Sequence, residues 1–206
     1  MQRKIIFLDI DGVLQPASSQ ERFEHICYND FENSDMPELY KHLKYKFNID
    51  YSIYNQYDVA AVFWDWDKSS VDLLKLTLSL TGAKIVLSSD WRRDGFDRMK
   101  DFFTIYGLEK YFIDCTAEYD KMDKSFIEKT KAKFEEENGK DAYIDERSIE
   151  ILEWLSKNPD VKRWVAIDDR KLRGLGDHFV WTEYRYTAGN AEKCIRLLTD
   201  CFEITE

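Results

Sequence analysis

Residues 4–8, KIIFL, form a short apolar run that stops at Asp9-Ile10-Asp11-Gly12. A run apolar at all but its first position and too short for a helix is the pattern of a strand covered on both faces, which belongs in a parallel sheet. Two later stretches repeat it: residues 84–87 (KIVL) run into Ser88-Ser89, and residues 163–167 (RWVAI) run into Asp168-Asp169. Residues 111–114 and 178–182 (HFVWT) read as further strands. Helical spacing lies between them. Residues 68–81 place Val71, Leu74 and Leu78 on one face, with Asp67 or Ser69 able to cap the start and Gly82 to stop it. Residues 95–106 align Phe96, Met99, Phe103 and Tyr106; helices are also expected over 121–138, 146–156 and 190–202. Strands alternating with helices predict an α/β fold, a Rossmann-like parallel sheet with helices on both faces.

Two segments depart from this alternation. Residues 16–68 are dense in aromatic and charged side chains with weak periodicity, and read as a small cap-like insertion after the first strand, with short helices and a strand near residues 59–63. Residues 118–142, whose helix is charged nearly all round, read as a second helical insertion with a solvated face. The string Phe63-Trp64-Asp65-Trp66-Asp67 suits either a lid that stacks on a ring or, preferably, an aromatic anchor tying the insertion to the core. The whole reads as one domain over residues 1–206.

Composition narrows the classes. At 206 residues and 44% hydrophobic, the chain can bury a core without staples. Its four cysteines (27, 115, 194 and 201) form no CxxC pair, so neither a zinc site nor a disulfide framework is expected; Cys194 and Cys201 suit small apolar packing positions. A formal net charge of -10 repels polyphosphate backbones, which argues against extended nucleic-acid binding. The apolar run near the start is too short for a signal peptide, and no stretch reaches the length of a membrane span. No membrane partner is expected, and the expected compartment is the cytoplasm.

In an open parallel sheet, ligands bind outside the carboxyl ends of the strands. The polar residues ending the three apolar runs can therefore meet in one crevice. Several carboxylates cannot all ionise close together without a cation, and oxygen ligands without nearby His or Cys favour a hard ion, Mg2+ above all. Asp9 could then attack a phosphorus atom. Asp11, two residues on, could protonate the leaving oxygen and later take a proton from water. Ser88, with Ser89 beside it, offers a hydroxyl to a phosphate oxygen. Asp168 and Asp169 would join Asp9 and Asp11 around the metal. Each motif alone has an ordinary explanation in loop capping; their joint order along the chain is the signal.

These residues resemble the haloacid dehalogenase (HAD) superfamily of phosphohydrolases. FLDIDGVL is similar to its first motif, IVLSS to its second and VAIDD to its fourth. The resemblance implies Asp9 as nucleophile, Asp11 as acid/base, Ser88 on the phosphate, Asp168 on Mg2+, and hydrolysis of a phosphate ester. Superfamily members that attack carbon–halogen bonds generally lack the second aspartate, so Asp11 implies a phosphate substrate: a small phosphorylated molecule or a nucleotide or oligonucleotide terminus. The third motif departs. The family usually supplies a lysine before the last metal strand, whereas here the best-placed cation is Arg147 in DERSIEILEWLSKNP, with Lys124 and Lys171 as alternatives. Arg147 suits a phosphoryl group but reads equally well as a surface arginine. SSDWR followed by an RxxEIxxWL spacing resembles the HAD domains of RNA-repair proteins, where an arginine here is plausible. Arg92 either reaches a phosphate or pairs with Asp90. A phosphotransferase or mutase, and a noncatalytic module of the same fold, are the competing readings. A receiver domain fits poorly, because it puts its phosphorylated aspartate on a central strand after an earlier acidic pair, and the strand expected to be central here ends in Ser88.

Overall fold

The computed structural model describes residues 3–26 and 34–199. Cys27, Cys201 and the end of the helix expected over 190–202 lie outside the described residues. Five strands, β1 (Arg3–Leu8), β2 (Lys84–Leu87), β3 (Phe112–Cys115), β4 (Val161–Asp168) and β5 (Phe179–Trp181), form one sheet in the order β3-β2-β1-β4-β5. Every pairing is parallel. β1, and not the strand that ends in Ser88, is central; the chain order reverses between β1 and β4, which makes the crevice above their carboxyl ends the natural place for a ligand.

Alternation along the strands sorts the core into two layers. Ile6, Leu8, Ile85, Leu87, Val165 and Ile167 point to one face. They meet α2 (Met36–Phe47), α3 (Gln56–Ala60), α4 (Lys68–Thr81), α5 (Phe96–Ile105) and α8 (Ala188–Leu198) through residues such as Leu43, Val59, Leu74, Phe102 and Cys194. Ile5, Phe7, Val86 and Ala166 point the other way, toward Ile151 and Trp154 of α7 (Glu146–Lys157). α6 (Lys124–Asn138) buries only Ile127, against Met122, Ile144 and Ile149; its charged surface stays in solvent, as its composition predicts. The four-residue α1 (Arg22–His25) buries nothing.

Ends follow local chemistry. Asp67, not Ser69, caps α4, accepting from the Ser70 amide at 2.7 Å, and Gly82 ends it in the left-handed region at φ 69°. The strand expected at residues 59–63 is not one: α3 runs directly into a π-helical turn, Ala61–Asp65. Val59, Ala60, Ala61 and Val62 are all buried, and an unbroken apolar stretch of that length carries no period to tell strand from helix. The Asn55 side chain starts the helix by accepting from the Tyr57 amide at 2.8 Å.

Residues 16–68 share the main core rather than building their own. Met36, Leu39, Leu43, Tyr51, Val62 and Trp66 are buried in the same cluster as Ile6 and Leu8. Polar bonds to α5 reinforce this: Tyr51 Oη donates to the Asp101 carbonyl at 2.7 Å and Tyr54 Oη to the Asp101 carboxylate at 2.6 Å. Trp66 stacks on Tyr106, which is the anchoring role expected of the aromatic string. Among the described residues, no helix is long and apolar enough to cross a membrane.

Candidate active site

Backbone pairing draws the strand ends together. The Asp9 amide donates to the Ile167 carbonyl at 3.0 Å and the Ser88 amide to the Leu8 carbonyl at 2.8 Å, so the three apolar runs deliver their terminal polar residues to one place. Carboxylate oxygens of Asp9, Asp168 and Asp169 lie within 4.8 Å of one another. Asp9 and Asp168 are buried, Asp169 partly so. Asp11 is outside this group: its exposed side chain turns to the Trp91 indole, whose Nε1 donates to Oδ2 at 3.1 Å.

Arg147 stands in the middle of the cluster. From the first turn of α7 its Nη1 donates to Asp9 Oδ1 at 3.0 Å and to the Ser88 carbonyl, and approaches Asp168 Oδ2 at 3.5 Å. Its Nη2 is 3.5 Å from Asp90 Oδ1. The arginine is 5% exposed, so it is no surface residue. Burial opposes its charge, but the surrounding carboxylates, Asp9 first, hold it protonated. The alternative cations are elsewhere: Lys171 Nζ lies over the Trp181 ring at 4.9 Å, and Lys124 is exposed at the start of α6.

One arginine does not balance these acids. Burial, then the charge of Asp9, pushes Asp168 up to about 7 despite Arg147. The same two causes raise Asp169 and Asp11. All-oxygen donors that resist ionising beside one another fit a hard divalent cation. Gly12 adds to the fit. It sits at φ 68°, and a Cβ there would come within 2.3 Å of Asp169 Oδ2, so only glycine lets that carboxylate close on the cluster. Trp181 Nε1 donates to the Asp169 carbonyl at 2.7 Å, fixing the backbone behind it.

The second motif supplies two hydroxyls. Ser88 Oγ and Ser89 Oγ are both buried with no hydrogen-bond partner. An orphaned hydroxyl in such a place needs a reason, and an anion bound beside Asp9 would give Ser88 one. Arg92 does not pair with Asp90, the partner expected if it left a phosphate alone. Its Nη1 donates to the Ser89 carbonyl and its Nη2 to Glu150 Oε1, both at 2.7 Å. Glu150 also accepts from the Tyr119 amide at 2.9 Å. Arg92 thus holds the turn that carries the serines, at the edge of a cleft of about 710 Å3 that Arg147 and Arg170 also line.

The sequence profile of the family described as the HAD domain in Swiss Army Knife RNA repair proteins matches residues 5–187. The chain belongs to this family. No curated protein and no solved structure matches it. The matched span of this HAD domain contains every residue of the site, and the family supports a phosphohydrolase or a related function. Sequence reasoning overlooked Glu150 and Trp91. A signal existed for Glu150: three residues after Arg147 on a helix, it must share that residue's face. Nothing in the order of residues pointed Trp91 at Asp11.

Proposed function

We propose that this HAD domain hydrolyses phosphate monoesters through an aspartyl-phosphate on Asp9. The observation that carries the reading is the convergence of Asp9, Asp168 and Asp169 around a buried Arg147, beside the unpartnered hydroxyl of Ser88. Held by Asp9, Asp168 and Asp169, with Asp11 beside them, Mg2+ would neutralise the carboxylates and screen the approach of an anionic phosphate. Arg147 orients Asp9 through its hydrogen bond to Oδ1, and its fork offers hydrogen bonds to the phosphoryl oxygens together with Ser88. Ser89 and Arg92 shape that phosphate-binding turn.

In the first step an Asp9 oxygen forms a bond to phosphorus. The bond from phosphorus to the leaving oxygen breaks, and that oxygen takes its electron pair and a proton from Asp11. In the second step water attacks phosphorus, Asp11 accepts the water proton, and the Asp9–phosphorus linkage breaks to release phosphate. Partial burial and the nearby charge of Asp9 favour the protonated Asp11 that the first step needs.

The substrate class we propose is a small phosphomonoester or the terminal phosphate of a nucleotide or oligonucleotide. The family's RNA-repair description makes end-phosphorylated oligonucleotides the first substrates to try. The net charge of -10 favours a chain end over a long duplex. We place the activity in the cytoplasm. The test is phosphate release from p-nitrophenyl phosphate, nucleotides and end-phosphorylated oligonucleotides, with Mg2+ or with EDTA, beside Asp9→Asn. Release that requires both Mg2+ and Asp9 is expected. Release that persists in EDTA or in Asp9→Asn defeats the reading.

A further inference from the structure

The tryptophan after the second motif takes no part in these steps, yet it makes the only side-chain hydrogen bond to Asp11 among the described residues, at 3.1 Å. Its ring is wedged edge-on against Trp66 and Phe102, each with centroids 6.2 Å away. Its carbonyl accepts from Arg98 Nη2 at 3.1 Å, and Arg98 Nη1 reaches Asp58 Oδ2 at 2.7 Å. Trp66 and Asp58 both belong to the insertion. Trp66 is 3% exposed, lies nearly parallel to Tyr106, and leaves its own Nε1 without a partner. It therefore contributes a rigid ring and no hydrogen bond.

Asp11 needs such a hold. An aspartate with nothing to hold it samples several rotamers, whereas a general acid works only within reach of the atom it protonates. It must also stay clear of the three carboxylates beside it. An indole N–H on Oδ2 meets both needs. It turns the carboxyl out of the cluster and fixes its rotamer.

We propose that Trp91 is the positioning residue for Asp11, and that the insertion, through Trp66 and the Asp58–Arg98 pair, holds Trp91 in place. This rests on the phosphatase reading, in which Asp11 delivers a proton to the leaving oxygen as its bond to phosphorus breaks. The consequence is a dependence on the leaving group. A nitrophenolate departs without a proton, but an alkoxide does not.

Trp91→Phe keeps the ring and deletes the donor. In single-turnover measurements, release of the alcohol from an alkyl phosphate is expected to slow at least about tenfold, while release of nitrophenol from p-nitrophenyl phosphate slows less than about threefold. Trp66→Leu, which removes a ring that never touches Asp11, is expected to shift the ratio in the same direction by less. Equal losses on both esters, or none, overturn the proposal; a general structural defect would give the former. A second measurement needs no activity. In metal-free protein labelled with 15N-tryptophan, the indole resonance that disappears in Trp91→Phe should move in Asp11→Ala and stay in place in Asp169→Asn. A resonance indifferent to Asp11 overturns the proposal. Should the wild type release phosphate from neither ester, the phosphatase reading falls, and the indole resonance still decides whether Trp91 holds Asp11.

Discussion

On one wall of the crevice, β4 and α7 set Asp168, Asp169 and Arg147 against Asp9, and Glu150 meets Arg92 behind them. On the other, Trp91, Phe102 and Trp66 offer Asp11 a single indole N–H. The two aspartates of DxD, two residues apart, thus face opposite kinds of surroundings. The charged wall is interdependent: removing one member leaves the others buried without compensation, which costs far more than the contact itself. The aromatic wall is graded, because its rings pack against one another and reach Asp11 through one hydrogen bond.

The largest test of that contrast is Asp11→Asn. It removes the proposed acid of the first step and base of the second, so turnover should fall toward the upper end of about 10²–10⁴-fold. With p-nitrophenyl phosphate the first step survives, and a stoichiometric burst of nitrophenol with phosphate retained on the protein is expected. Asp11→Asn with wild-type turnover would erase the distinction between the walls. Arg147→Ala comes next, at about 10²–10³-fold in kcat, the usual loss for one donor to developing charge. Undiminished activity would return the third-motif role to a lysine.

Gly12→Ala should act through the metal. The added Cβ strikes Asp169, and the left-handed backbone costs a non-glycine residue about 1–2 kcal/mol. Mg2+ affinity measured by calorimetry should drop roughly 10–100-fold, as when a ligand's support is lost. Unchanged affinity would remove Asp169 from the metal shell.

The smallest effect is one of pH. In the metal-free protein Asp168 keeps its proton to about 7, whereas an unfolded aspartate releases its own near about 3.9. Between those values the native state binds more protons, so stability should fall as pH rises through the window and level off above it. Mg2+ replaces the proton, so its stabilising effect should grow over the same window. At about a hundred times its Kd, Mg2+ should add ~2.7 kcal/mol, or roughly 5–10 °C in Tm. A thermal shift with Mg2+ that is flat from pH 4 to 8 would break the account of the charged wall.

Much of the charged wall was legible in the sequence, because each strand is a local apolar run and each catalytic candidate is the polar residue that ends it. Arg147 was found as the best-placed cation but not separated from a surface arginine, since its exposure depends on how α7 docks. Arg92 was assigned to a phosphate or to Asp90; its partner is Glu150, brought near only when α7 packs beside the second strand's turn. The insertion was hardest. A continuously buried segment shows no alternation, so residues 59–63 were expected as a strand and are helical.

The chain by itself determined which residues end the parallel strands, and hence that Asp9, Ser88 and Asp168 share one edge. Strand periodicity and parallel topology follow from spacing and length alone. Only the tertiary structure decided which cation joins them and what holds Asp11. Arg147 lies 138 residues from Asp9, and Trp91 lies 80 from Asp11. Contacts at such separations are set by how whole faces pack, and no local pattern encodes them.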